Sequence, residues 1–146
     1  MDGGAPAELR IDRQALTVLE AVLAAAAPEE GCALLLGHRD PWRVRLVWPC
    51  LNVWEPSAER GRRFALDPRE QLQAQKWARA RGQRVLGAAH SHPMSEPVPS
   101  ALDRSLAFRP TLMLILGQPP GAPRGLACWW LPEQGGPRRL AWRMDD

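Results

Sequence analysis

Leu16, Leu19, Val22 and Leu23 recur at three- and four-residue intervals, the spacing that puts side chains on one face of an α-helix. Ala24 to Ala27 continue this segment to Pro28, which disfavours helical backbone in the residue before it. Asp12 is a candidate N-cap for the helix, and Ile11 can staple against Leu16. Cys32 to Leu36 is a continuous apolar run, short enough for a strand covered on both faces. A turn at His38-Arg39-Asp40-Pro41 follows, and Trp42, Val44, Leu46 and Trp48 then alternate as a half-buried strand does. Asn52 to Arg63 has no period; it is the candidate for a mobile, substrate-contacting loop. Asp67, Pro68 and Glu70 supply an N-cap, a proline at the first helical position and a glutamate at the third, predicting a helix to about Arg81 that stops at Gly82. Val85 to Ala89 reads as a short buried strand, Ser100 opens a short helix that ends before Pro110, and Thr111 to Leu116 is a second continuous apolar strand. Two more strands, Leu126 to Leu131 and Arg139 to Arg143, flank a Gly135-Gly136-Pro137 turn. In the first of them Trp129 and Trp130 face opposite ways, one toward the core and one toward an exposed patch. This order predicts an α/β protein of the α+β type, a mixed sheet flanked by helices.

A chain of 146 residues can bury one core without staples. We expect a disordered lead-in over residues 1–10 and one domain over residues 11–146. No stretch approaches the roughly 18 apolar residues of a membrane span, and the N-terminus lacks the charge and apolar core of a signal peptide, so a cytoplasmic location is expected. Cys32, Cys50 and Cys128 are odd in number and lie far apart in apolar surroundings, as buried thiols do. The positive charge is nearly all arginine, with Lys76 the only lysine. The clusters Arg60/Arg62/Arg63 and Arg79/Arg81/Arg84 come without interleaved aromatics, so they read as solvated faces, or secondarily as a grip on an acidic protein; nucleic acid is not an expected partner.

Candidate chemistry sits at His90, Ser91 and His92, followed by Ser100 and Asp103 in the pattern H-x-H-x₇-S-x-x-D. Two of the three histidines are thus two positions apart at the end of a strand, where i and i+2 share a face. Proline-rich chain (Pro93, Pro97, Pro99) returns to the Ser100 helix, and Asp103 lies one turn into it. Ser100 and Asp103 also form a capping box, which by itself needs no metal. Capping leaves the fixed distance to the histidines unexplained, whereas two imidazoles, one carboxylate and an open fourth position make a catalytic zinc site, one Zn²⁺ per chain. Ser91 faces the other side of the strand, and His38 falls on a turn facing solvent.

Upstream, Pro28, Glu30, Cys32, Leu34, Leu35 and Gly37 spell P-x-E-x-C-x-L-L-x-G. With His90-Ser91-His92-Pro93 and Ser100/Asp103, this resembles the JAMM (MPN+) zinc metallopeptidases, above all their short bacterial members. Asn52 and the Phe64-Ala65-Leu66-Asp67-Pro68 segment resemble the chain between those motifs, and the likeness covers about residues 12 to 117. The resemblance implies a single MPN domain with a curved mixed sheet like that of cytidine deaminases. It implies zinc on His90, His92 and Asp103, Glu30 as general base toward a zinc-activated water, and Ser100 as an oxyanion-stabilising hydroxyl. Strand parity separates the two adjacent acids: Glu30 shares the face of Cys32 while Glu29 points away. Ala33 stands where the family often has glycine. The implied substrate is an amide bond after the Gly-Gly tail of a ubiquitin-like or sulfur-carrier protein. The alternative is a non-peptidase or nucleic-acid-associated MPN domain serving as an interaction module.

Overall fold

The computed structural model describes residues 4–146. Seven strands and three helices follow in the order β1 (Glu8–Asp12), α1 (Arg13–Ala25), β2 (Cys32–Arg39), β3 (Trp42–Cys50), α2 (Pro68–Ala80), β4 (Arg84–His92), α3 (Ala101–Leu106), β5 (Thr111–Gly117), β6 (Gly125–Leu131) and β7 (Arg138–Asp145), with one 3₁₀ turn at Ser57–Glu59. The mixed sheet curls until it meets itself, as a closed barrel ordered β1-β3-β2-β4-β5-β6-β7. Parallel pairing joins β1 to β3 and β7, and β4 to β5; the remaining neighbours are antiparallel. No described helix is long and apolar enough to cross a membrane.

The inward faces of all seven strands, with Leu9, Leu35, Val44, Ala89, Leu114, Trp130 and Leu140, form the main core, into which α1 turns Ala15, Leu19 and Leu23. The outer face is covered too. Helix α2 lays Ala74 and Ala78 over Leu34 and Leu36, and Ala107 packs with Met113, Ile115 and Leu131. Strands β2 and β5 therefore carry unbroken apolar runs, because both of their faces are dry. Helix α2 begins and ends where its punctuation says: Asp67 accepts from Arg69 N, and Gly82 at φ +70° follows the last turn.

Three expectations are corrected. Residues 1–3 lie outside the described residues, but the expected lead-in is already sheet from Glu8, where Leu9 and Ile11 alternate inward between β3 and β7. Asp12 precedes α1 without capping it through its side chain; its carboxylate accepts from Arg43 and Arg45 of β3 instead. The strict alternation of Trp42 to Trp48 also breaks. Leu36 pairs with Leu46 but Gly37 pairs with Val44, so Arg45 is an extra residue. This bulge turns Trp42, Val44 and Val47 toward the main core and Leu46 and Trp48 toward α2.

Candidate metal centre and its surroundings

Beyond Leu35 and Leu36 the ladder between β2 and β4 is regular at the end that matters, with Cys32 opposite His90. Pleating then puts Ser91 inward and both histidines outward. Ser91 Oγ accepts from Gly31 N at 2.8 Å and Ser91 N donates to Gly31 O at 3.0 Å, so this serine fastens β4 to the chain just before β2. After His92 the chain is held against the end of β5 and β6. Gln118 N donates to His92 O and Ser95 O, and Trp129 Nε1 donates to Pro97 O at 2.9 Å. Gly117 permits this approach, since a Cβ there would lie 2.4 Å from Pro97 N. Trp129 is thus half-buried as a tether rather than part of an exposed patch.

Ser100 and Asp103 form the capping box in full, Ser100 Oγ accepting from Asp103 N at 3.0 Å and Asp103 Oδ2 accepting from Ser100 N at 2.9 Å. The same Oδ2 lies 3.0 Å from His90 Nε2 and 3.1 Å from His92 Nε2, and the two nitrogens are 3.2 Å apart. Capping and convergence are therefore one arrangement. Three donors 3.0–3.2 Å apart lie just inside the roughly 3.3–3.4 Å vertex spacing of a tetrahedron with zinc bonds of about 2.0–2.1 Å, so a small outward movement would seat the ion. All three residues are buried. Burial lowers the pKa of His90, and it opposes ionisation of Asp103, but hydrogen bonds from His90 and His92 overcome it and hold Asp103 well below the usual carboxylate range. A neutral imidazole beside an ionised carboxylate is the donor set that a divalent cation takes. His92 is oriented by its Nδ1, which donates to Glu96 O at 2.8 Å. His90 is oriented by Phe64, whose ring stacks on the imidazole at 4.4 Å.

Glu30 is 4% exposed and its Oε1 has no hydrogen-bond partner among the described residues. Burial pushes its pKa up to about 8, with the charge of His92 pulling down and that of Asp103 adding to the rise. A buried carboxyl is thus coupled electrostatically to two of the three converging residues. Glu29 is exposed. Ser100 is exposed at the helix start, its oxygen already accepting from Asp103 N. Replacing Ser100 by alanine should lower stability by about 0.5–2 kcal/mol, read from the denaturation midpoint, while metal content stays unchanged. The three cysteines are not ligands; burial raises Cys32 and Cys128 to about 12 and Cys50 to about 11.

A cleft of about 780 Å³ runs from His90 and Asp103 between α2 and α3, walled by Leu66, Leu72, Leu106 and Phe108. The Asn52–Arg63 loop is pinned down by the Asn52 side chain and by ion pairs of Arg60 with Glu55 and Arg63 with Glu59. Two arginines of that cluster are thus spent within their own loop. Phe64 and Trp129 lie far along the chain from the motif they support, and only the fold brings them there.

The family model of prokaryotic homologues of the JAB domain matches residues 12–132. A desampylase from Haloferax volcanii is 36% identical over 94 residues, 64% of this chain and 66% of that protein, so the match spans just under two thirds of the relative's length. A protein from Desulfitobacterium hafniense, solved in solution, is 30% identical with a TM-score of 0.82, covering 94% of this chain and 93% of its own. A JAB1/MPN-domain protein from Archaeoglobus fulgidus shares the fold at 24% identity and a TM-score of 0.55, covering 93% and 98% of the two chains.

Proposed function

The chain belongs to the prokaryotic JAB family, of the JAMM/MPN kind, and on that premise we propose that it is a zinc-dependent isopeptidase that hydrolyses the amide bond following the Gly-Gly tail of a ubiquitin-like or sulfur-carrier protein. The observation that carries this reading is the convergence of His90 Nε2, His92 Nε2 and Asp103 Oδ2 on one point beside a buried, raised carboxyl at Glu30. These three atoms would hold one zinc, which when bound supplies Lewis acidity toward a carbonyl oxygen and an acidified water.

Everything else falls to the protein. Glu30 takes the proton of the attacking water and returns it to the leaving amine, acting as base and then as acid. Its burial makes both steps accessible near neutral pH, because a carboxyl in water would be too weak a base. The Ser100 hydroxyl, whose oxygen accepts from Asp103 N, keeps its own proton free for the developing oxyanion. The substrate class rests on the desampylase relative and on the family. A cytoplasmic location is part of this reading. The experiment is incubation of zinc-loaded protein with a fusion carrying a ubiquitin-like or sulfur-carrier domain ending in Gly-Gly, scored by mass. Cleavage after the second glycine is the expected result; an intact fusion with zinc bound would favour an interaction module instead.

A further inference from the structure

We propose that Asn52 is the positioning residue of the general base, holding Glu30 in place where the barrel's own hydrogen bonding stops. The inference rests on Glu30 being the base. Strand β2 starts at Cys32, which pairs with Cys50, the last residue of β3. Extending that antiparallel register by one hydrogen-bonded rung would set Glu30 opposite Asn52. The main-chain rung does not form there, and side chain and loop replace it. Asn52 Nδ2 donates to Glu30 O at 3.0 Å, and Glu30 N donates to Arg60 O at 2.7 Å. Nδ2 also donates to Arg63 O at 2.8 Å and, more weakly, to Arg60 O at 3.4 Å. Oδ1 accepts from Trp54 N at 3.0 Å and Ala65 N at 3.2 Å. Both donor hydrogens and both acceptor sites of the amide are engaged.

The consequence is a division of labour around one peptide unit. Gly31 is fastened to β4 by Ser91, and Glu30, its neighbour, is fastened to the loop by Asn52 and Arg60. An open ladder releases Glu30 from sheet geometry, and the amide then fixes where its carboxyl is carried. Aspartate at position 52 is nearly isosteric and retains an acceptor for Trp54 and Ala65, but it turns an oxygen toward the carbonyls of Glu30 and Arg63. It should therefore shift Glu30 without emptying the site.

The test is a double-mutant cycle of Asn52→Asp and Glu30→Gln on zinc-loaded full-length protein with a Gly-Gly fusion as substrate. Asn52→Asp alone should bind one zinc, keep KM within about twofold and lose roughly 10- to 100-fold in kcat, the scale of a misplaced reacting group. In the Glu30→Gln background the same substitution should change the residual rate by less than about twofold, because its effect passes through Glu30. The proposal is overturned if Asn52→Asp keeps wild-type kcat, if only KM rises, or if the rate falls by the same factor in both backgrounds. Should Asn52→Asp fail to unfold cooperatively, Asn52→Ala, which removes the amide donors without adding charge, carries the same comparison. Full activity of Glu30→Gln alone would remove the base assignment itself, and the positioning role with it.

Discussion

Glu30→Gln is expected to lose on the order of 10²–10⁴-fold in rate while retaining zinc and fold, the largest separation of activity from structure that this chain offers. The retention follows from geometry, since the donor triangle is His90, His92 and Asp103 and does not include Glu30. The fold is kept for an electrostatic reason. In metal-free protein burial raises Glu30 from 4.5 to about 8, so between those values the folded state binds the proton that the unfolded state has released. Stability then falls as pH rises through that window. Glutamine has no proton to lose, so the metal-free variant should be at least as stable as wild type at pH 7 and should lack that slope in urea titrations. Glu29→Gln, at an exposed position, should cleave normally. Loss of activity in Glu29→Gln with full activity in Glu30→Gln would mean that the motif is displaced by one residue.

Asp103→Asn should be the most damaging change to the candidate metal centre. Asparagine keeps an oxygen for Ser100 N, so the cap of α3 survives, but the negative charge that both imidazoles share is gone. Zinc affinity should fall by more than the roughly 10- to 100-fold typical of losing an outer partner of a ligand, because here the ligand itself is altered. Competition with a chelator reads this directly, and hydrolysis should fall in parallel at limiting zinc. Unchanged affinity would show that the three converging atoms are a hydrogen-bonded cluster and nothing more.

The convergence of His90, His92 and Asp103 was legible because its parts are local. His90 and His92 share a strand face by parity, and Ser100 and Asp103 meet within one helical turn, so spacing alone brings the pieces near their final relation. What could not be read depends on contacts between distant segments. Asp12 looks like a cap until two arginines from a neighbouring strand compete for its carboxylate. Leu9 and Ile11 alternate, but five residues are too few to announce a strand, and the partners that make it one arrive at residues 43 and 141 onward. The extra residue at Arg45 leaves no mark in the hydropathy, although it reverses which side chains face the core. Asn52 is a plain polar residue in a loop until the fold sets it against Glu30. The family resemblance implied a curved sheet, and the pairing of β7 with β1 closes it.

That closure bears on how a peptide could be grasped. Many proteins catch an extended chain by letting it join a sheet as one more strand, which needs a border where backbone groups stand free. In the barrel that border shrinks to short stretches, such as residues 46–50 of β3, which pair with β2 but not with β1. On the function proposed above, a tail would reach His90 along the cleft between α2 and α3. Two glycines would suit that approach, because a chain without Cβ atoms can bring its backbone close to the converging side chains.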